Sequence, residues 1–116
     1  MSAPIVHLEI KVTNMVRAKK FYGKLLGWKF HRMNSGYVIF NPGKGVGGAL
    51  DKVKRVSRSG AMCPYFHVKS IEQTLKKAEK LRSKIVAKKT EIGGGHGYFA
   101  QIRDSEGNLV GIWNKR

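Results

Sequence analysis

Hydrophobic and polar residues alternate near the start of the chain, from Val6 to Val12. In residues 5–12, IVHLEIKV, every even-numbered residue is apolar, which is the period of a strand buried on one face. Apolar residues then follow helical spacing between Asn14, which can cap a helix, and Gly27, which can end one. Three short strands, at 28–33, 37–40 and about 47–53, complete a β-α-β-β-β order.

The second half of the chain repeats this order. A shift of 56 residues places Val12 on Val68 and Asn14 on Ser70, so that Ser70 is expected to cap a second helix. The strands expected around that helix span residues 64–68, 85–88, 98–103 and 109–113.

The repeat predicts one α+β domain over residues 1–116. Its modules cover about 1–53 and 63–116, and the basic, polar stretch 54–62 is read as the linker between them. Two βαβββ modules are expected to form a curved, mostly antiparallel sheet with the helices outside, which leaves the other sheet face to line a trough.

Length and composition restrict the class of protein. A chain of 116 residues is too short for a two-lobed enzyme, and 41% apolar residues are too many for a disordered basic tail. No apolar run approaches the roughly 18 residues of a transmembrane helix, and residues 1–4 show no secretory signal. The one cysteine, Cys63, cannot form an internal disulfide. We therefore expect a soluble, cytoplasmic protein that does not enter a membrane.

The charge balance is strongly basic. The chain has 23 lysines and arginines against 7 aspartates and glutamates, a formal net charge of +16. Such a charge attracts anions, whether nucleic acids or small acidic molecules. Because zinc-finger spacing, an RNP-type strand and a long basic helix are all missing from the sequence, a nucleic-acid-binding function is kept only as an alternative.

Two stretches of sequence point together to a family. They are IVHLEIKVTNMVRAKKFYGKLLGWKF at 5–30 and FAQIRDSEGNLVGIW at 99–113, with GVGGAL at 45–50 between them. In these stretches the chain resembles the vicinal oxygen chelate superfamily, which includes glyoxalase I, bleomycin-resistance proteins and extradiol dioxygenases. The resemblance spans nearly the whole chain and implies the fold predicted above.

The resemblance also implies where a metal would bind. In metal-dependent members each module supplies one ligand from its first strand and one carboxylate from its last. His7 matches the first of these positions and Cys63 its equivalent in the second module, whereas the carboxylate positions fall on Gly111 and near Gly48 or Ala49. Most of the ligand set is therefore absent, and His7, Glu9 and Cys63 remain as weak metal candidates.

Three further features bear on the site. Among the seven carboxylates, only Glu9 is expected to face the trough beside His7. Cys63 has no evident base partner and is interpreted as a packed residue.

The segment GGGHG at 93–97 has neither a Walker nor a Rossmann pattern. It is interpreted either as a lid from which His96 contacts a ligand or as a flexible hairpin.

Ligand contact is expected from aromatic residues, although a packing role is open for each one. The set is Trp28, Tyr37, Tyr65, Tyr98, Phe99 and Trp113. By the resemblance, the face of the last strand that contains Gly111 is expected to point toward the trough. Because glycine has no side chain, it is expected to widen the cavity there.

We therefore expect a small-molecule-binding protein that has largely lost the usual metal constellation. The same resemblance implies a homodimer. No cofactor is expected, no catalytic residue is assigned, and the ligand is expected to be anionic because bases outnumber acids. The alternative enzyme is a metal-dependent lyase, isomerase or dioxygenase that uses His7 and Glu9. The expected ligand-binding residues are His7, Glu9, Tyr65, His67, His96 and Trp113.

Overall fold

The computed structural model describes residues 5–57, 59 and 62–116. The chain forms two compact units, unit 1 ending at Val56 and unit 2 beginning at Ser57. Unit 1 contains β1 (Leu8–Val12), α1 (Met15–Leu26), β2 (Lys29–Asn34), β3 (Tyr37–Asn41) and β4 (Gly48–Lys52). Unit 2 contains β5 (Tyr65–His67), α2 (Ile71–Lys80), β6 (Ile85–Glu91), β7 (Tyr98–Arg103) and β8 (Leu109–Asn114).

Both helices begin at the caps that the sequence predicts. The side chain of Asn14 accepts a hydrogen bond from the backbone N–H of Arg17 at 2.9 Å, and that of Ser70 accepts one from Gln73 at 3.2 Å. Gly27 ends α1 in the left-handed conformation, with φ of 72°, and its N–H donates to the carbonyl of Gly23.

The sheet of unit 1 has the strand order β1-β4-β3-β2. β1 and β4 are parallel, and the other two pairs are antiparallel. Alternate residues of these strands point toward α1 and are buried, which leaves the second face of the sheet free of the helix. The buried strand residues are Ile10, Val12, Val38, Phe40 and Leu50.

The sheet of unit 2 repeats this topology in the order β5-β8-β7-β6, with β5 and β8 parallel. Its core between sheet and helix includes Ile71 and Ala78 of α2 and Ala100, Ile102 and Ile112 of the sheet. In each unit we call the sheet face opposite the helix the helix-free face.

The structure confirms the α+β class and the repeated βαβββ order. The strands form two four-stranded mixed sheets, one in each module, because each module pairs its own first strand with its own last. Strand bounds also shift: His7 lies just before β1, and β6 extends to Glu91.

Three residues of the predicted linker and the first four residues of the chain are not among those that the structure describes. The three linker residues are Arg58, Gly60 and Ala61. The division into a single domain with a linker at 54–62 stays a prediction. Within the part of the chain that is described, no helix has the length and apolarity needed to cross a membrane.

Candidate functional site

A chain of hydrogen bonds joins five side chains on the helix-free face of unit 1. His7 Nε2 lies 3.0 Å from the hydroxyl of Tyr37, which donates to Glu9 Oε2 at 2.8 Å. The ammonium of Lys11 donates to Glu9 Oε1 at 3.1 Å and to Asp51 Oδ2 at 2.6 Å. The expected pair His7 and Glu9 is therefore connected, but through Tyr37.

Strand register explains how these residues meet. Glu9 and Lys11 alternate with buried Ile10, so both side chains lie on the helix-free face. Lys11 pairs with Asp51 across the parallel β1–β4 ladder, and Asp51 pairs with Tyr37 across β3–β4. The expectation that only Glu9 accompanies His7 is wrong, because Asp51 shares the sheet face of Glu9 and is bonded to the same lysine.

The bonds determine where the protons lie. The hydrogen bond from Tyr37, followed by that from Lys11, holds the pKa of Glu9 below its usual value, so its carboxylate only accepts hydrogen bonds near neutral pH. The single hydroxyl hydrogen of Tyr37 is donated to Glu9, and this bond raises the pKa of Tyr37. His7 Nε2 must therefore carry a hydrogen and donate it to Tyr37, which in neutral His7 leaves Nδ1 as an acceptor.

This donor set does not fit a divalent metal ion. Among the described residues, no three side chains of histidine, cysteine, aspartate or glutamate come together in an arrangement that could hold one. The two carboxylates of unit 1 that do approach each other are bridged by the ammonium of Lys11. A metal ion there would meet a positive charge already in contact with both oxygens.

The helix-free face of unit 2 is aromatic. The rings of Tyr65 and Phe99 pack edge to face, with their centroids 6.2 Å apart. The rings of His67 and Trp113 do the same, with a centroid separation of 4.9 Å. The amide of Gln101 donates to the hydroxyl of Tyr65 at 2.7 Å. Tyr65 remains 47% exposed, so this face presents ring surface together with a polar group.

Gly111 makes room for Tyr65 and does not widen a cavity. The two residues pair across β5 and β8, and a Cβ atom at position 111 would lie 2.2–2.6 Å from three atoms of the Tyr65 ring. The expected empty space beside Gly111 is therefore filled by a ring from the neighbouring strand. By the resemblance, metal-dependent relatives have a carboxylate at this position. In this chain the ring of Tyr65 occupies the space that such a side chain would need.

We expect Gly111→Ala to lower the free energy of unfolding by about 1–2 kcal/mol, because the added methyl group must displace the Tyr65 ring. In the Tyr65→Ala background the same change should cost only a few tenths of a kcal/mol. Urea denaturation of the wild type, both single variants and the double variant measures this coupling. Additive costs would show that the ring does not lie on Gly111.

The loop at 93–97 is held in place by bonds from the end of β8. Trp113 Nε1 donates to the carbonyl of His96 at 2.8 Å, and Lys115 donates to that of Gly95. All four glycines of the loop have positive φ, between 60° and 93°. A Cβ at Gly97 would also lie 2.6 Å from the carbonyl of Asn114, so close backbone approach accounts for this glycine.

The structure separates the aromatic residues that the sequence grouped together. Trp28 is a core residue, stacked between Tyr22 at 4.8 Å and Phe40 at 4.0 Å. Tyr98 lies on the helix side of its sheet, under the ammonium of Lys89, which in turn pairs with Glu72 of α2. The other members of the set, Tyr37, Tyr65, Phe99 and Trp113, lie on the helix-free faces.

Cys63 lies just before β5 and is half-buried, with its thiol directed at the carbonyl of Pro64. Partial burial raises the pKa of this thiol, an effect opposed by Tyr65 and Arg103. A raised pKa disfavours the reactive thiolate, in keeping with the packing interpretation.

Of the six predicted ligand-binding residues, the structure brings His7 and Glu9 together in unit 1. It brings Tyr65, His67, His96 and Trp113 to one face and its adjoining loop in unit 2. Sequence reasoning missed Lys11, Asp51 and Gln101 as partners. Lys11 could have been predicted, because it lies two residues from Glu9 on β1 and so points to the same face. Asp51 and Gln101 could not, because their place beside the site depends on how neighbouring strands are aligned.

Comparison with known proteins supplies a family. A model of the Glyoxalase/Bleomycin resistance protein/Dioxygenase superfamily matches residues 4–112. A glyoxylase-like domain-containing protein of Didymella fabae is 30% identical over 118 residues, covering 90% of this chain and 88% of that protein.

Solved structures share the fold at low sequence identity. A glyoxylase/bleomycin resistance protein/dioxygenase domain from Frankia sp. EAN1pec aligns with a TM-score of 0.80 at 13% identity, covering all of both chains. A variant of the fosfomycin resistance protein FosX of Listeria monocytogenes, complexed with Mn(II) and a dihydroxypropylphosphonic acid, aligns with a TM-score of 0.82 at 11% identity. That alignment covers 97% of this chain and 90% of FosX.

Proposed function

The chain belongs to the Glyoxalase/Bleomycin resistance protein/Dioxygenase superfamily, and on that premise we propose that it binds a small anionic molecule without a metal ion. The ligand contacts the helix-free face of unit 2. The observation that carries this proposal is the group of half-exposed rings around Tyr65, Phe99 and Trp113. Such a surface binds planar, partly apolar molecules by stacking and burial.

The distribution of carboxylates supports an anionic ligand on unit 2. Glu72 and Glu79 lie on α2, and Glu91 pairs with Tyr98 on the helix side of the sheet. Asp104 and Glu106 are buried in the turn between β7 and β8. Every acidic side chain within residues 62–116 thus lies away from the Tyr65 face. The strands of that face carry Arg103 at the end of β7, and Lys115 directly follows β8.

Unit 1 is less suited to an anion. Its helix-free face holds two carboxylates, Glu9 and Asp51, and a single lysine neutralises only one of their charges. An anion bound there would be repelled by the remaining negative charge. We therefore assign the anion to unit 2 and interpret the unit 1 network as a hydrogen-bonding group that needs no metal.

Tryptophan fluorescence tests this assignment, because Trp28 is buried in the core of unit 1 and Trp113 is half-exposed on unit 2. We expect benzoate and phenyl phosphate to quench Trp113 saturably and to raise the Tm by mass action. Benzyltrimethylammonium, a cation of similar size, should do neither. The Trp113→Phe variant should lose the quenching while keeping the Trp28 signal. Equal stabilisation by the cation at physiological salt would contradict an anion site.

The two alternative functions predict different results. A metal-dependent lyase, isomerase or dioxygenase that uses His7 and Glu9 would retain about one equivalent of metal after purification without chelator and lose it in His7→Ala. A nucleic-acid-binding protein would bind oligonucleotides with an affinity that falls steeply with salt, and benzoate would not displace them.

We also propose that the protein is a homodimer. The family resemblance supports this, as do large apolar side chains that are 61–80% exposed in the isolated chain, Val6, Val16 and Met33. Sedimentation velocity should give about twice the chain mass of 13.0 kDa. A single species of 13.0 kDa at micromolar concentration would contradict it.

A further inference from the structure

Lys11 occupies an unusual position between two strands. Its ammonium lies 3.1 Å from Oε1 of Glu9 on the same strand and 2.6 Å from Oδ2 of Asp51 on the parallel neighbour β4. By the triangle rule those two oxygens are less than about 6 Å apart, and one positively charged group contacts both of them. The cation in contact with both is the lysine.

The bonds around Lys11 connect it to the rest of the unit 1 network. Glu9 uses one oxygen for Lys11 and the other for the hydroxyl of Tyr37, which also accepts from His7. Without a cation, two carboxylates at this distance would repel each other and Glu9 would turn toward water. Lys11 is thus the cation that bonds both carboxylates of this network.

We propose that the ammonium of Lys11 takes the place of a divalent cation on unit 1, balancing Glu9 and Asp51 and holding Glu9 against Tyr37. The hydrogen bonds to Asp51 and Glu9 raise the pKa of Lys11, so it stays charged over the whole neutral range. This inference rests on the part of the proposed function that assigns no metal to unit 1, and it does not involve the anion site of unit 2.

The proposal predicts a latent site for a cation that prefers oxygen ligands. In Lys11→Met the two carboxylates lose their counter-charge while an unbranched side chain is kept, and Lys11→Arg retains the charge. We expect Lys11→Met to bind about one Mn²⁺ per chain, roughly tenfold or more tighter than the wild type and Lys11→Arg. The double variant Lys11→Met/Asp51→Asn should lose that gain.

Isothermal titration with MnCl2 at neutral pH measures these four proteins and Glu9→Gln, and circular dichroism confirms that each is folded. Because the Lys11 side chain is 48% exposed, its replacement is expected to leave the fold intact. Two results would overturn the inference: an equivalent of Mn²⁺ on the wild type that Glu9→Gln abolishes, or a Lys11→Met variant with no gain in affinity. Benzoate quenching of Trp113 in the same proteins reports separately on unit 2.

Discussion

Gly48→Ala is expected to destabilise unit 1 by about 3 kcal/mol or more, the largest effect expected from a methyl group added at any glycine that the structure describes. A Cβ atom at position 48 would lie 1.7 Å from the carbonyl oxygen of Leu8 and 2.9 Å from its nitrogen. These are backbone atoms of the paired strand β1, so no side-chain movement can relieve the clash. The two strands must separate, which would also break the bridge from Lys11 to Asp51.

The measurement is urea denaturation followed by Trp28 fluorescence in a Trp113→Phe background, so that the signal comes from the core of unit 1. Gly36→Ala is the matched control, because a Cβ there would meet nothing closer than 3.6 Å. A midpoint for Gly48→Ala equal to that of the control would show that β1 and β4 do not approach so closely.

Asp104→Ala is expected to lower the free energy of unfolding by about 2–4 kcal/mol, because two backbone N–H groups lose their acceptor. The side chain is only 5% exposed. Its Oδ1 accepts from the N–H groups of Glu106 and Asn108, each at 2.8 Å, and its Oδ2 accepts from the Asn108 amide at 2.9 Å. These bonds form the turn that sets β7 beside β8, and thereby place Gln101 and Trp113 on one face.

Asp104→Asn provides the matched comparison, since its amide oxygen can still accept from both backbone N–H groups. It should retain at least half of the stability that alanine loses in urea denaturation. If asparagine were as destabilising as alanine, the carboxylate charge would matter more than the turn bonds, contrary to this account.

The repeated βαβββ order was predictable because it depends on neighbours in sequence. The alternation in IVHLEIKV marks β1, and Asn14, Gly27 and Ser70 mark helix ends through bonds to residues three or four positions away. The turn DSEGN likewise closes on itself. Each of these signals lies within a few residues, so the printed sequence contains both partners.

The candidate site was predicted less completely. The strand parity of Glu9 correctly placed it on the polar face of β1, and Tyr65 and Trp113 were named as aromatic contacts. The sequence did not predict that Asp51 shares the face of Glu9, and Trp28, expected among the ligand contacts, is stacked in the core. The alternation of residues along a strand shows which side chains share a face. It does not show which residues of the other strands they contact.

The sequence by itself therefore determined the two modules, their helices and caps, and which face of each strand is polar, because these follow from spacing along one segment. Only the tertiary structure decided that Lys11 bridges Glu9 to Asp51 and that the Tyr65 ring covers Gly111. The physical reason is register: which residues oppose each other on strands some 40 positions apart depends on the packing of the whole sheet against its helix.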